Sequence, residues 1–335
     1  MLRIKKIMLI FGAVLGGLAV VFLLFLGYIR FIEHRSLSAF IAEKYLFSTT
    51  DKNPAKNSEE VYLALMQTRA ENNRKRVDSP SGLLSKEVAD NDIAGMQVFS
   101  WNDEHDPAQR VILYIHGGGY VHQASPTLYT MVDAVAEAVG ARVVFPMYKL
   151  APEYTFVDMY PEITELYNIV LASVNSADQI TLMGDSAGGG AALGLAHALA
   201  QQGITQPKDI ILLSPWLDIA TDNPDLLPYE KKDPLLSIWP LQMNAMTWAG
   251  SAENLKNPLV SPMYSDRFSE MGRITLFTGT RELLYPDIIL LDQMLTEQGV
   301  AHNMIVGRGM NHVYPCYAIP EAKTAQAQIA EIILE

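Results

Sequence analysis

The chain begins with its longest apolar run. Residues 7–29 contain no charged side chain, and no later segment approaches this length. A helix over these residues would span about 35 Å at 1.5 Å per residue, which is enough to cross the hydrocarbon core of a bilayer. A cleaved signal peptide is the alternative, but its apolar region is normally about 7–15 residues long and ends at a small-residue cleavage site. We therefore predict an uncleaved membrane anchor over residues 1–30.

Basic residues lie on both sides of this run. Arg3, Lys5 and Lys6 precede it, whereas Arg30 and Arg35 follow it. Because Lys and Arg accumulate on the cytoplasmic side of membrane spans, the balance favours an amino terminus in the cytoplasm. We expect a single-pass protein of the cell membrane that contacts the bilayer through residues 7–29 and places the rest of the chain outside the cytoplasm.

Beyond the anchor, the pattern of apolar and polar positions changes once. Residues 31–95 are polar and helix-like, whereas short β-branched and aromatic runs alternate with helix-like stretches from residue 96 onward. Such alternation is typical of an α/β fold with a mostly parallel central sheet flanked by helices, which we predict over residues 96–335. The predicted strands are 96–101, 110–116, 141–148, 179–184, 209–216, 273–279 and 302–306, and the predicted helices are 127–139, 158–175, 188–202 and 287–298.

Two stretches interrupt this alternation. The polar segment 101–110 predicts a hairpin loop between the first two strands. Residues from about 217 to 262 are rich in proline and tryptophan, which indicates an insertion rather than another strand–helix unit. We expect this insertion and the segment 31–95 to form a helical cap over the sheet.

Composition narrows the possible functions. Hydrophobic residues make up 49% of the chain and charged residues 19%, so a large folded core is available. A net charge of −12 argues against nucleic-acid partners, because phosphate contacts need clustered Lys and Arg. The single cysteine, Cys316, excludes an internal disulfide, a cysteine zinc cluster and a cysteine-ligated iron–sulfur site. We expect neither a metal nor another cofactor.

A candidate nucleophile lies between a predicted strand and a predicted helix. The strand at 179–184 runs into Gly184-Asp185-Ser186-Ala187-Gly188, and a glycine- and alanine-rich helix follows. This is the G-x-S-x-G pattern in the strand–turn–helix context where a sharp turn exposes a serine hydroxyl. Ser186 is therefore the predicted nucleophile. A glycine-rich turn without covalent chemistry is the alternative.

A glycine-rich loop follows another strand. The strand at 110–116 leads into His116-Gly117-Gly118-Gly119. Acyl transfer places negative charge on a carbonyl oxygen, and consecutive glycines let backbone N–H groups approach that oxygen. We predict an oxyanion hole formed by the N–H groups of Gly118, Gly119 and Ala187. We interpret His116 as a structural residue of the loop.

Chain order selects the candidate base. In this architecture the nucleophile precedes the acid, and the acid precedes the histidine. Of the histidines after Ser186, His197 lies within the helix behind the serine and His302 begins a strand. His312 lies in a loop after the last predicted strand and is the predicted base.

The candidate acid has two alternatives. The strand at 273–279 is followed by Glu282 and, after a proline, by Asp287. A carboxylate just past this strand could orient the imidazole and stabilise its cation. Glu282 is our prediction for the acid. Asp287 is the alternative, although its position after a proline also suits a residue that begins a helix.

The motifs occur together in a recognisable order. HGGGY (116–120), YKLAPE (148–153), GDSAGGG (184–190), LLSPWLD (212–218) and NHVYP (311–315) resemble those of the hormone-sensitive-lipase-like branch of the α/β-hydrolases, which includes many bacterial carboxylesterases. The resemblance covers roughly residues 95–320. It implies an eight-stranded, mostly parallel sheet with a helical cap, and ester hydrolysis without a cofactor. Glu282 stands where this family usually has Asp, and Lys149 replaces the usual Arg.

These observations predict a serine carboxylesterase that uses a Ser-His-Glu/Asp triad and an HGGG oxyanion hole. We expect a small-molecule substrate with a short to medium acyl chain, such as an acetyl ester. Four aromatic residues of the expected cap region are candidates for lining an acyl pocket: Trp216, Tyr229, Trp239 and Trp248. A membrane-associated lipase and a non-catalytic ligand-binding homologue are the alternative functions. The sequence indicates no oligomeric state.

Overall fold

The computed structural model describes residues 2–52 and 57–335, except for the side chains of residues 2–4. The side chain of Arg3 and residues 53–56 of the expected cap segment therefore lie outside the described part. The helices are α1 (Leu2–Phe31), α2 (Leu37–Thr49), α3 (Glu59–Asn73), α4 (Ser81–Leu84), α5 (Pro126–Val139), α6 (Phe156–Ala172), α7 (Ser186–Gln202), α8 (Leu227–Glu230), α9 (Ile238–Ala249), α10 (Tyr285–Glu297) and α11 (Pro320–Leu334).

Eight strands form one sheet in the order β1-β2-β4-β3-β5-β6-β7-β8. The pairs β1–β2 and β2–β4 are antiparallel and the other pairs are parallel. The strands are β1 (Ala89–Ile93), β2 (Met96–Trp101), β3 (Arg110–Ile115), β4 (Ala141–Met147), β5 (Ile180–Asp185), β6 (Asp209–Leu213), β7 (Arg273–Gly279) and β8 (His302–Gly307).

Two differences from the sequence interpretation concern the antiparallel edge. Strand β1 falls at the end of the segment expected to be helical, and its sequence is ADNDI. The hairpin predicted over 101–110 is wrong, because β4 lies between β2 and β3 in the sheet. At this edge, Arg76 pairs with Asp90 and Asp92 of β1, both at 2.6 Å.

The core lies on both faces of the sheet. Along β3, Val111, Leu113 and Ile115 face one side, whereas Ile112 and Tyr114 face the other, as expected for the two-residue period of a strand. Helices α6, α7 and α10 cover the first side, and α5 and α11 cover the second. The carboxyl ends of β3, β5, β7 and β8 consequently meet at one edge of the sheet.

Helix α3 and the 217–262 segment contact each other above this edge. The Tyr62 hydroxyl of α3 lies 3.1 Å from the Asn244 side-chain oxygen and 2.8 Å from the Thr247 hydroxyl, both on α9. The N-terminal segment and the insertion are thus in direct contact with each other.

Helix α1 is long and apolar enough to cross a membrane. The most apolar 18-residue window within its Lys5–Phe31 portion has a mean hydropathy of 2.8, and none of the residues in that window is buried. The last two turns of α1 contact the body of the protein, where Ile29 is buried and the Phe25 ring packs edge to face on the Phe40 ring at 5.4 Å. A signal sequence near the N-terminus would meet the same criteria of length and composition.

Candidate active site

Ser186 lies at a strained junction between β5 and α7. Its φ of 51° is in the left-handed region, which non-glycine residues seldom adopt and which often marks a functional site. The turn also packs tightly against the end of β3, since a Cβ at Gly188 would lie 2.2 Å from the Ile115 carbonyl oxygen. Gly188, two residues after the serine, is therefore required for close packing of the turn.

His312 reaches this serine from the loop after β8. Its Nε2 lies 2.9 Å from the Ser186 hydroxyl oxygen. The imidazole is almost fully buried, and Tyr317 donates a hydrogen bond to the His312 carbonyl oxygen at 2.7 Å. The ring is thus held at hydrogen-bond distance from the hydroxyl that it would deprotonate.

Glu282 approaches the other side of the imidazole. Its Oε2 lies 2.9 Å from His312 Nδ1. Its Oε1 accepts hydrogen bonds from the Gly279 N–H at 3.0 Å and from the Thr278 hydroxyl. The carboxylate is fully buried, and these two hydrogen bonds from the end of β7 fix its orientation.

This environment favours the imidazolium form of His312. Burial lowers the pKa of His312, but the hydrogen bond and charge of Glu282, with the charges of Asp233 and Asp185, outweigh burial, so the pKa is raised above 6.5. A raised pKa makes the neutral imidazole a stronger base.

Asp287, the alternative acid, lies in a different cluster. Asn223 donates a hydrogen bond to one of its oxygens at 2.6 Å, and the other oxygen has no partner among the described residues. Burial, with the charges of nearby aspartates, raises the pKa of Asp287 to about 6. The structure brings Glu282, and not Asp287, to His312.

The glycine loop is attached to the serine turn. Asp185 accepts hydrogen bonds from the Gly117 N–H and the Tyr114 hydroxyl, both at 2.8 Å. Gly118 and Gly119 have φ values of 129° and 60° and line the cavity above Ser186, whereas Ala187 is the second residue of α7. The first N–H groups of a helix have no intrahelical acceptor, so that of Ala187 is available to another group.

His116 is buried behind this loop. Its Nδ1 lies 2.7 Å from the Gly117 carbonyl oxygen, and its ring stacks on Tyr148 at 4.5 Å. Burial lowers the pKa of His116 to about 4. The Tyr148 hydroxyl also donates to the His116 carbonyl oxygen at 2.7 Å, so the YKLAPE motif supports the glycine loop.

The other two histidines after the serine lie away from it. His197 Nδ1 lies 2.9 Å from the Ser265 hydroxyl oxygen, and His302 Nε2 lies 2.9 Å from the Asp292 carboxylate. Neither lines the cavity that contains Ser186.

A cavity of about 400 Å³ contains the reacting groups. Pockets that bind small molecules commonly measure about 300–1,000 Å³. The wall combines Ser186, His312 and the glycine loop with apolar residues: Leu128, Leu235, Leu236, Leu241, Val313 and Cys316.

The aromatic residues proposed for the acyl pocket do not line this cavity. Trp216 and Trp248 are buried and stack on Tyr120 at 5.9 and 4.4 Å. Tyr229 packs on Tyr285, and Trp239 lines a neighbouring cavity.

Within residues 2–52 and 57–335, no group of three or more His, Cys, Asp or Glu side chains is arranged to hold a metal ion.

The sequence interpretation missed one buried carboxylate beside the site. Asp233, in the insertion, accepts hydrogen bonds from the N–H groups of Leu235 at 2.7 Å, Leu236 at 2.9 Å and Leu283 at 2.7 Å. Burial raises its pKa, and the charge of His312 opposes that rise. Because Leu283 follows Glu282, Asp233 joins the insertion to the acid loop.

Lys52 closes the same loop from the N-terminal side. Its ammonium group donates to the carbonyl oxygens of Glu230 at 2.8 Å and Asp233 at 2.6 Å, and to that of Leu236. No local motif marks Lys52 or Asp233, because their partners are distant in sequence or belong to the backbone.

Comparison with known proteins places these residues in a family context. Residues 112–316 match a family model, Abhydrolase_3, described as alpha/beta hydrolase fold. An esterase of Acinetobacter venetianus is 29% identical over 67% of this chain and 74% of its own length. An acetyl-hydrolase of Streptomyces hygroscopicus is 27% identical over 64% of this chain and 72% of its own length.

Solved structures give the same result. A Staphylococcus aureus protein described as an esterase superposes with a TM-score of 0.78 at 28% identity, covering 83% of this chain and 94% of that one. An esterase of the bacterial hormone-sensitive lipase family has a TM-score of 0.71 at 26% identity, covering 88% and 95%.

Proposed function

Because the chain belongs to the Abhydrolase_3 family of α/β-hydrolases and is a carboxylic ester hydrolase, we propose that it is a serine esterase with Ser186 as nucleophile, His312 as base and Glu282 as acid. The observation that carries this proposal is the continuous hydrogen-bonded chain from the Ser186 hydroxyl through His312 to Glu282. Its end opens into the 400 Å³ cavity, where an ester could meet the hydroxyl.

The reaction follows from this geometry. His312 Nε2 removes the hydroxyl proton as Ser186 Oγ bonds to the ester carbonyl carbon, and Glu282 stabilises the imidazolium formed. His312 then protonates the leaving alcohol as the ester C–O bond breaks. Water, deprotonated by the same imidazole, hydrolyses the acyl-enzyme and restores the serine.

The tetrahedral intermediate requires donors for its oxyanion. We assign this role to the N–H groups of Gly118, Gly119 and Ala187. The attachment of the glycine loop to Asp185 supports the assignment, because donors fixed before the reaction cost no reorganisation during it.

We propose esters with short to medium acyl chains, including acetyl esters, as substrates. The cavity size and the acetyl-hydrolase relative support this class. A Mycobacterium tuberculosis relative named triacylglycerol lipase keeps lipid esters as the second candidate; it is 26% identical over 69% of this chain and 48% of its own length. The intact hydrogen-bonded chain argues against a purely ligand-binding role.

A chain-length series tests the proposal. The full chain in detergent micelles would be assayed on nitrophenyl esters from acetyl to palmitoyl, beside Ser186→Ala. We expect maximal kcat/KM at short chains and a loss of about 10⁴-fold or more in the variant, as for removal of an active-site serine elsewhere. A palmitoyl optimum would favour the lipase, and full activity of Ser186→Ala would refute the serine mechanism.

A further inference from the structure

A buried ion cluster connects α2 to the body of the protein. Glu43 of α2 is fully buried and Arg35 nearly so. Arg35 donates to both Glu43 oxygens at 2.8 and 3.0 Å, and Arg281 donates to the same two oxygens at 2.6 and 3.1 Å. Each guanidinium therefore forms a bidentate pair with one carboxylate, which is the geometrically most specific form of this contact.

The two arginines lead to the two loops of the active site. Arg281 directly precedes Glu282, and its N–H donates to the Met310 carbonyl oxygen at 2.9 Å, two residues before His312. Arg35 also reaches the Gly309 carbonyl oxygen at 3.5 Å. Glu43 thus acts at one point on both the acid loop and the base loop.

Glu43 is ionised and is shared by three cations, because the Lys44 ammonium group also lies 3.5 Å from it. Burial raises the pKa of Glu43, but the hydrogen bonds and charges of Arg35 and Arg281 outweigh it, so the pKa is lowered and Glu43 is ionised at neutral pH. Glu33 forms a further ion pair with Arg35. Neutralising Glu43 would leave two arginines without their shared carboxylate, one of them buried.

We propose that Glu43 is a positioning residue for the Glu282–His312 pair. The inference rests on the proposed triad and extends it to the segment that follows the apolar helix. Glu43 touches no reacting atom; it holds the acid loop and the base loop in register. Displacements of about 1 Å can cost about 100-fold in rate, so a change at this distance affects the chemistry.

Glu43→Gln in the full chain, in detergent micelles, tests this role. We expect kcat on a short-chain nitrophenyl ester to fall about 10-fold or more, with KM changed less than about 2-fold. The acid limb of the kcat/KM profile should move to lower pH. The loss of the Glu43 negative charge beside Arg281 and a loosened Glu282 contact both lower the pKa of His312.

Glu321→Gln is the matched control. Glu321 on α11 accepts hydrogen bonds from the Ser36 N–H at 2.6 Å and the Ser36 hydroxyl at 2.9 Å, so it secures the same N-terminal segment from a helix outside the two loops. We expect this variant to keep its kcat and its acid limb. Equal losses of thermal stability in both variants, with kcat and the acid limb unchanged, would overturn the proposal.

A second variant covers failure of Glu43→Gln to fold. Arg281→Lys keeps the charge but loses the bidentate contact, and we expect a kcat loss of about 3-fold or more with a smaller shift of the acid limb. An unchanged kcat would overturn the positioning role. Activity remaining in Ser186→Ala would instead refute the proposed function, so the two failures are distinguishable.

Discussion

His312 determines the pH range in which the proposed chemistry can operate. The base must be neutral to accept the serine proton, and the charge of Glu282 raises its pKa above 6.5. We therefore expect kcat/KM to fall as pH decreases through an apparent pKa above 6.5. A pH–rate profile on a nitrophenyl ester measures it, and a limb well below pH 6 would contradict the assignment.

The choice between the two carboxylates can be tested at the same scale. Glu282→Gln should lower kcat by about 10³–10⁴-fold, comparable to the loss of an orienting acid in a serine protease. Asp287→Asn should stay within a few-fold of the unchanged chain, because Asp287 contacts Asn223 and not His312. Kinetics of the purified variants provide the measurement, and the reverse order would identify Asp287 as the acid.

At the scale of elements, Asp233 fixes the 230–236 loop against the loop that carries Glu282. One carboxylate accepts three backbone N–H groups from these two segments. An amide has a single acceptor oxygen, so Asp233→Asn leaves at least one buried N–H unpaired.

We expect Asp233→Asn to lower the free energy of unfolding by about 1–3 kcal/mol, which is the cost of a buried donor without an acceptor. Denaturant unfolding monitored by tryptophan fluorescence measures it. Asp225→Asn, at an exposed position of the same insertion, is the control and should change by less than about 0.5 kcal/mol. Equal effects of both substitutions would contradict the role of Asp233.

The elements that could be predicted from the sequence are those whose pattern is local, within a few consecutive residues. Strands such as β3 and β6 are apolar apart from their first residue, and the Ser186 turn and the glycine loop are local motifs. Strand β1 was missed because ADNDI is acidic and exposed, and the hairpin was wrong because strand order depends on long-range pairing. Glu43 and Asp233 were missed because only tertiary contacts bring them to the active-site loops.

At the scale of the whole molecule, α1 is separate from the catalytic body, but the chain just after it is not. The most apolar window of α1 has none of its residues buried, whereas Ile29 and Arg35 are each 1% exposed. The boundary between the proposed anchor and the folded body therefore lies near residue 28, and residues 29–43 belong to the body.

Shortened chains test this boundary. A chain that starts at residue 28 should remain folded and active but leave the membrane fraction. A chain that starts at residue 44 should be inactive, because it lacks Arg35 and Glu43. The full chain should be released from membranes by detergent and not by high salt, because burial of an apolar helix in lipid is not screened. Release by salt alone would refute the membrane span.

The acidic strand at the antiparallel edge has a consequence for proteins held in a plane. Anchored copies would collide far more often than copies free in solution, and an open sheet edge is a template for pairing between molecules. Asp90 and Asp92 of β1 share a single arginine, Arg76, so this edge keeps a net negative charge and two such edges repel each other when they meet. The acidic residues that made this strand unrecognisable in the sequence would thus oppose edge-to-edge aggregation of the protein at high local concentration.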